Sequence, residues 1–525
     1  MATILIRGAT VIDGTGAPGA AADVLLADGK IAAAADRPRD ADRVVDAGGL
    51  VLAPGFIDAH SHADNAPLLA ETDIGKLSQG VTTEVVGNCG FAPAPCPPGR
   101  RAEIERLRGR LFPALPSGWS TVDELYRTLD THGYPTNTVP LAGHHLIRAA
   151  VLGTADRRPR EPELALMKAE LSAALAAGAA GLSSGLIYPP GMYGDVDELA
   201  ALAGELPPGA VYASHLRNES GRLLESVGEA IEVARRAGCR LQVSHLKAAG
   251  QHAWGSVKPA LRLMDEARAE GITVHHDVYP YEANSTLLSA CLPPWFHDGG
   301  HAATMARLRD PDALRRAERA IAEDDGTWEN WVAGSGWDRV LVAGAGDPGA
   351  DGRTLGELAA SRRRPPFRVL ADLLLTSELT AWMSVFAMSS DDVTAALLHP
   401  RALVGSDGAP PGGGGKPHPR GYGTFTRVLA RYVRDTGLLS WEEAIAKMTS
   451  RTASAFGLAG RGVIATGAAA DVVLFDPAAV ADRATFTDPT RVSAGIELVV
   501  VNGQVAFEAG KAVGPRAGHR LRPIE

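Results

Sequence analysis

Eight short apolar runs in the middle of the chain each end in polar, glycine or histidine residues. They close at His60-Ser61-His62, Gly87-Asn88-Cys89, Gly143-His144-His145, Ser183-Ser184-Gly185, His215, His245, Asp277 to Tyr281, and Asp407. Stretches with helical character, 161–176, 223–237, 257–270 and 441–456, separate many of them, and Pro162 suits a first helical turn, where its missing N–H costs nothing. Strands that alternate with helices pair in parallel, because each must return through a crossover. Eight such strands predict an α/β chain built on a closed (β/α)8 TIM-like barrel, with a doubly wound open sheet as the lesser alternative.

Both chain ends read as short strands. Residues 4–6, 10–12 and 23–26 are separated by glycine-rich turns, and Asp28-Gly29 is a hairpin signal. Near the other end, 471–475 is apolar and β-branched, and 497–501 meets Asn502-Gly503 before 504–507. The two ends are expected to join as one small β-sandwich domain, since termini often lie close together. Domain limits follow: 1–53 and 458–525 in the β domain, and 54–457 in the barrel. From Tyr281 to Asp407 the chain is too long for one strand–helix unit and carries Trp295, Trp328, Trp331 and Trp337. Residues 289–366 are read as a lid-like insertion.

The formal net charge of −9 argues against non-specific nucleic-acid binding. Four cysteines, Cys89, Cys96, Cys239 and Cys291, show no CxxC spacing and are too sparse for a disulfide scaffold. The opening Met1 to Gly8 lacks the basic and apolar regions of a signal peptide, and no apolar run reaches about 18 residues. A cytoplasmic protein without membrane contact is expected. Oligomeric state is not legible.

The strand ends carry the chemistry. Residues i and i+2 of a strand point to one side, so His60 and His62 aim two imidazoles at one place. His215 and His245 stand one strand–helix unit apart and take equivalent positions in neighbouring strands. Asp407, ending its strand beside a divalent cation, would stay ionised and could carry a proton from water to a leaving amine. Cys89 follows the second strand near the His-x-His pair, where a thiolate would serve zinc well. Lys247, two residues past His245, shares that residue's side of the strand. Pattern alone does not separate Tyr279 from Tyr281. The pairs His144/His145 and His275/His276 are read as buried hydrogen-bonded histidines rather than pocket contacts.

Gly55-Phe56-Ile57-Asp58-Ala59-His60-Ser61-His62, with the two later histidines and the late aspartate, resembles the amidohydrolase superfamily. Gly87-Asn88-Cys89-Gly90, Ser244-His245-Leu246-Lys247 and His418-Pro419-Arg420-Gly421-Tyr422-Gly423-Thr424-Phe425 are similar to the N-acyl-D-amino-acid deacylases, or D-aminoacylases, over nearly the whole chain. The resemblance implies one tightly bound zinc on Cys89, His215 and His245. It also implies a second, weaker site on His60, His62 and Asp407, with Asp407 as catalytic base. It further implies a substrate carboxylate gripped by Lys247, Arg420, Tyr279 and Ser285, with Tyr188 as another pocket residue. The Gly412 to Gly415 run lengthens the spacing from Asp407 to Arg420 relative to the family pattern.

The implied activity is hydrolysis of N-acyl-D-amino acids to a carboxylate and a D-amino acid. A cyclic amidase of the dihydroorotase or hydantoinase type is the alternative. Those relatives bridge two metals with a carboxylated lysine near strand four, where this chain has Ser183 and Ser184. A metal-free binding protein on the same fold is a third, weaker reading. Because the insertion carries no clear basic cluster, neutral, hydrophobic D-residues are the expected substrates.

Overall fold

The computed structural model describes residues 3–32, 41–72, 74–112, 115–116 and 118–522. Met1 and Ala2, which head the segment read as lacking a leader, lie outside the described residues. Eight strands occupy the middle of the chain: β1 (Phe56–Asp58), β2 (Val81–Val86), β3 (Asn137–Pro140), β4 (Gly181–Gly185), β5 (Val211–His215), β6 (Arg240–Val243), β7 (Val274–Val278) and β8 (Ala402–Val404). β1, β2 and β3 pair in parallel, and so do β4 through β8. A two-residue strand, Ala142–Gly143, continues β3 past Leu141 and pairs with β4. Between β8 and β1, Ala59 N donates to Val404 O at 3.1 Å and Asp407 N donates to His60 O at 2.7 Å, while Ser61 and Gly408 form a parallel bridge.

Every residue of β2, β4 and β5 is buried. Burial on both faces is expected of parallel strands; here it also encloses polar side chains, Thr82, Thr83 and Glu84 in β2, Ser183 and Ser184 in β4, and Ser214 and His215 in β5. The covering helices bury one stripe each; Leu223–Ala237 turns Val227, Ala230, Ile231 and Ala234 inward. The expected helix over 441–456 is two helices, Trp441–Met448 and Ser450–Ala455. Thr449 breaks it at φ −134° and ψ −94°, with its hydroxyl donating to Ile445 O at 2.6 Å. A side chain that bonds the preceding turn competes with the helical backbone in this way.

The two chain ends share one mixed sheet of nine strands, hydrogen-bonded without a break. Val472–Phe475 pairs with Val51–Pro54 from the other end of the sequence. At Val472–Phe475 and along 498–501 both faces of this sheet are covered. Val472, Leu474, Leu498 and Val500 enter a core formed by the sheet itself. Their neighbours Val473, Phe475, Val499 and Val501 join the main core with Phe56 and Phe425. The runs expected at 4–6 and 10–12 are one strand, Ile4–Val11, with a register shift between Ile6 and Ala9. Gly8, at φ +74°, supplies the left-handed residue that such a bulge uses.

After β7 the chain adds a three-stranded antiparallel sheet of Asn284–Leu287, Val340–Gly344 and Trp382–Val385. Leu288, Phe296, Trp331, Phe367, Leu370 and Met383 pack a separate hydrophobic cluster around it. The segment 289–366 lies inside this unit. Among the described residues, no helix is long and apolar enough to cross a membrane.

Candidate active site and metal centre

The C-terminal ends of the strands converge. Oxygen, nitrogen and sulfur atoms of His60, His62, Cys89 and Asp407 lie within 4.8 Å of one another, as do those of Cys89, His215 and His245. Cys89 belongs to both groups: its Sγ is 3.3 Å from His60 Nε2 and 3.4 Å from His245 Nε2. Asp407 Oδ1 is 3.2 Å from His62 Nε2 and 3.5 Å from His60 Nε2. All six residues are buried.

The backbone shapes the cluster. Cys89, His245 and Asp407 adopt positive φ, at 54°, 35° and 48°. Left-handed backbone is uncommon outside glycine and gathers at functional sites, where surrounding structure holds it. At each of these strand ends it turns the chain sharply and sends the side chain into the common space. Gly90, next to Cys89 at φ +75°, allows a close approach: a Cβ there would lie 1.9 Å from His145 Nδ1.

The donor set suits a metal ion. Buried polar side chains normally keep at least one hydrogen bond, yet neither Nδ1 nor Nε2 of His215 makes one, the nearest acidic oxygen being Glu219 Oε2 at 3.4 Å from Nε2. Imidazole nitrogens with a thiolate and a carboxylate are the ligands zinc takes. Burial opposes ionisation of the Cys89 thiol, but His60 and His245 outweigh it and hold the thiol well below its usual range. Burial also opposes the charge on Asp407; Arg420 and His245 prevail and keep its carboxyl well below the usual carboxylate range.

Cationic and hydroxyl groups surround this cluster. Arg420 Nη1 lies 2.7 Å from Asp407 Oδ2, and Nη2 donates to Ser285 O at 3.1 Å. The guanidinium therefore reaches the site across the glycine run. Its Nε is buried without a hydrogen-bond partner, and so is the Tyr279 hydroxyl, with the Arg420 guanidinium 4.6 Å from the Tyr279 ring centre. Tyr279 lines the pocket, whereas Tyr281 packs against His418. Strand alternation does not decide between them because β7 ends at Val278 and Tyr281 N bonds back to Tyr279 O. Tyr188 sets its ring 5.1 Å from that of His215 and its hydroxyl 2.6 Å from Thr286 Oγ1. The Ser285 hydroxyl donates to Met383 O at 2.7 Å. Phe91, Leu111, Leu287, Trp331 and Trp382 complete the walls, the last three from the unit that follows β7.

His144 and His145 lie outside this space. His144 Nε2 is 2.7 Å from Glu198 Oε1, and His145 Nε2 donates to Tyr188 O at 3.0 Å. Burial, with His144 beside it, brings His145 down to about 3, so it is neutral. His276 donates to Ala396 O at 3.0 Å, and burial brings His275 down to about 4.

Sequence reasoning missed two acidic residues. Asp277 Oδ1 accepts from His245 N at 2.8 Å and lies 3.3 Å from His60 Nδ1, so it orients one histidine of each group. Glu219 is fully buried behind His215 and His245 and meets Lys247. Its only signal in the sequence is its place four residues after His215.

A parallel α/β fold with such a donor set at its strand ends defines a metal-dependent hydrolase. Residues 43–181 and 354–507 match the Amidohydrolase family model. N-acyl-D-glutamate deacylase of Alcaligenes xylosoxydans xylosoxydans is 38% identical over 96% of this chain and 93% of its own. D-aminoacylase of the same organism is 35% identical over 99% and 97%. A crystal structure of N-acyl-D-glutamate deacylase from Bordetella bronchiseptica, complexed with zinc and a phosphonate mimic of the tetrahedral intermediate, superposes with a TM-score of 0.83. It has 35% identity and 99% coverage of both chains. The chain belongs to the amidohydrolase superfamily, in its N-acyl-D-amino-acid deacylase (D-aminoacylase) family.

Proposed function

We propose that this protein hydrolyses the N-acyl amide bond of N-acyl-D-amino acids to a carboxylate and a free D-amino acid. Cys89, His215 and His245 would hold one zinc tightly, and His60, His62 and Asp407 a second more weakly. The observation that carries this reading is the meeting of six buried metal-type donors, five of which line one pocket together with the uncommitted Arg420 Nε and Tyr279 Oη. The deacylase relatives support it.

When bound, zinc supplies a Lewis acid for the amide carbonyl and brings the pKa of water to about 7. Asp407 takes the proton of the attacking water and returns it to the departing nitrogen. Lys247, Arg420 and Tyr279 grip the α-carboxylate through charge-assisted hydrogen bonds. Ser285 fixes the guanidinium through its carbonyl, and Tyr188 braces the His215 ring. Apart from Lys247 and Arg420, no lysine or arginine lines this pocket among the described residues, and its outer walls are apolar. This supports a preference for neutral, hydrophobic D-residues. β4 carries serines and no lysine, so the bridge of a cyclic amidase has no counterpart there.

In this reading β1 to β8 close as a (β/α)8 barrel over residues 54–457. Residues 1–53 and 458–525 form the small β-sandwich, and residues 289–366 act as the lid. A reducing cytoplasm would keep the Cys89 thiol available. The test is a panel of N-acetyl-D- and N-acetyl-L-amino acids assayed with and without added zinc, beside dihydroorotate and hydantoin. Zinc-dependent turnover of the D-series, faster for leucine, methionine and phenylalanine than for aspartate or glutamate, is expected. Turnover of the cyclic imides alone would overturn the assignment, and fast hydrolysis of the acidic D-substrates would overturn the side-chain preference.

A further inference from the structure

Glu219 sits where the metal donors meet the residues that would hold the substrate. It follows β5 in the loop that starts at His215, and its side chain is fully buried. Oε1 lies 3.0 Å from His245 Nδ1, on the opposite edge of the ring from the Nε2 that faces Cys89. Oε2 lies 3.4 Å from His215 Nε2. The Lys247 ammonium donates to both oxygens, at 2.8 and 2.7 Å. The residue's backbone is fixed too: its N–H donates to Glu329 Oε2 at 2.9 Å and its carbonyl accepts from Ala249 N at 2.7 Å.

We infer that Glu219 is a positioning residue that serves both halves of the site, setting the His245 ring for the metal and the Lys247 ammonium for the substrate carboxylate. The chemistry follows from the contacts. A neutral imidazole that binds a metal through Nε2 carries its proton on Nδ1, and a carboxylate against Nδ1 fixes that tautomer and raises the basicity of Nε2. The same carboxylate locks a lysine whose stem would otherwise sample many rotamers. Lys247 Nζ also lies 2.7 Å from His245 Nδ1. Once Nδ1 carries a proton, two donors face each other there. Lys247 then keeps its bonds to Glu219 and turns its remaining N–H towards the pocket. Loading the metal and presenting the ammonium are thus linked through one carboxylate.

This inference rests on the deacylase reading for its substrate half only. The experiment uses the full-length protein with Glu219→Gln and, as the milder change, Glu219→Asp, which keeps the charge on a shorter arm. Zinc affinity is measured by chelator competition on metal-free protein, without reference to turnover. KM and kcat for an N-acetyl-D-amino acid are measured at saturating zinc. Glu219→Gln should weaken zinc by about 10- to 100-fold, the usual cost of losing a carboxylate behind a ligating histidine. KM should rise at least about tenfold, as expected for loss of a charge-assisted contact, with kcat changed much less. Glu219→Asp should fall between the two proteins on both readouts, and it decides the matter by the same criteria if the glutamine variant does not fold. Wild-type values for both constants, or a change in only one, overturn the shared role. A lowered KM also overturns it, since Glu219 would then be a counter-charge that weakens Lys247. If the wild-type protein turns over no N-acyl-D-amino acid, the deacylase reading fails, while the zinc titration still tests the His245 half.

Discussion

Replacing Cys89 by serine should weaken both metal sites at once, whereas removing His62 should weaken only one. The thiol is 3% exposed and is the only atom common to the two donor groups. A four-donor zinc site is worth about 10–16 kcal/mol, or about 2.5–4 kcal/mol per donor if shared evenly, which is a factor of at least roughly 10² in affinity per lost donor. Serine preserves the shape, but its hydroxyl stays protonated at neutral pH and serves zinc poorly. The effect is also readable as stability. Zinc at about 1,000 times the wild-type Kd adds about 4.1 kcal/mol to the folded state, and a 100-fold weaker site gains only about 1.4 kcal/mol at the same concentration. Chelator competition on metal-free protein gives the affinities, and denaturant unfolding with and without zinc gives the stabilities. Cys89→Ser should therefore lose about 2.7 kcal/mol of zinc-dependent stability. His62→Ala should leave the tighter affinity within about fivefold of wild type, because His62 supplies no atom to that group. Wild-type zinc binding by Cys89→Ser, or equal losses in the two variants, would falsify the shared-thiol geometry.

Tyr279→Phe removes a buried hydroxyl that has no partner within the protein. Its stability should be unchanged or slightly higher, while kcat/KM falls by about 10- to 100-fold, the worth of a hydrogen bond to a charged group; a destabilised enzyme with normal kinetics would contradict the pocket role. Arg420→Lys keeps the charge but loses the fork that spans Asp407 and Ser285, so kcat/KM should fall by at least about tenfold. Steady-state kinetics of that variant at the wild-type level would refute the bidentate role. Lys447 is buried, and burial lowers it to about 8 in the fold from an ordinary 10.5. Between those values the unfolded chain holds a proton that the folded protein has released, so stability should rise with pH by at most about 3 kcal/mol. Lys447→Met should flatten the rise in unfolding measurements from pH 8 to 10.5; an unaltered slope would assign it to another group.

The strand–helix alternation and the polar strand ends are legible along the chain, because both depend on local pattern. The His-x-His spacing marked His60 and His62 as a pair, although β1 stops at Asp58 and both lie just beyond it, and the spacing of His215 and His245 put them at the ends of neighbouring strands. The chain could also be read as joining its two ends, since both are strand-rich and termini often lie close together. What required tertiary structure was everything set by distance across the fold. Tyr279 separates from Tyr281 only because β7 stops at Val278 and the chain turns. The reach of Arg420 over the glycine run depends on where its helix begins against Ser285. Glu219 and Asp277 gave no strong signal: an acidic residue reads alike in sequence whether it faces water or lies buried against two histidines and a lysine. Left-handed backbone at Cys89, His245 and Asp407 was equally invisible, because none of these is a glycine and packing from other strands imposes the turn. Local pattern is written in neighbouring residues; burial, pairing and strain are decided by residues that meet only after folding.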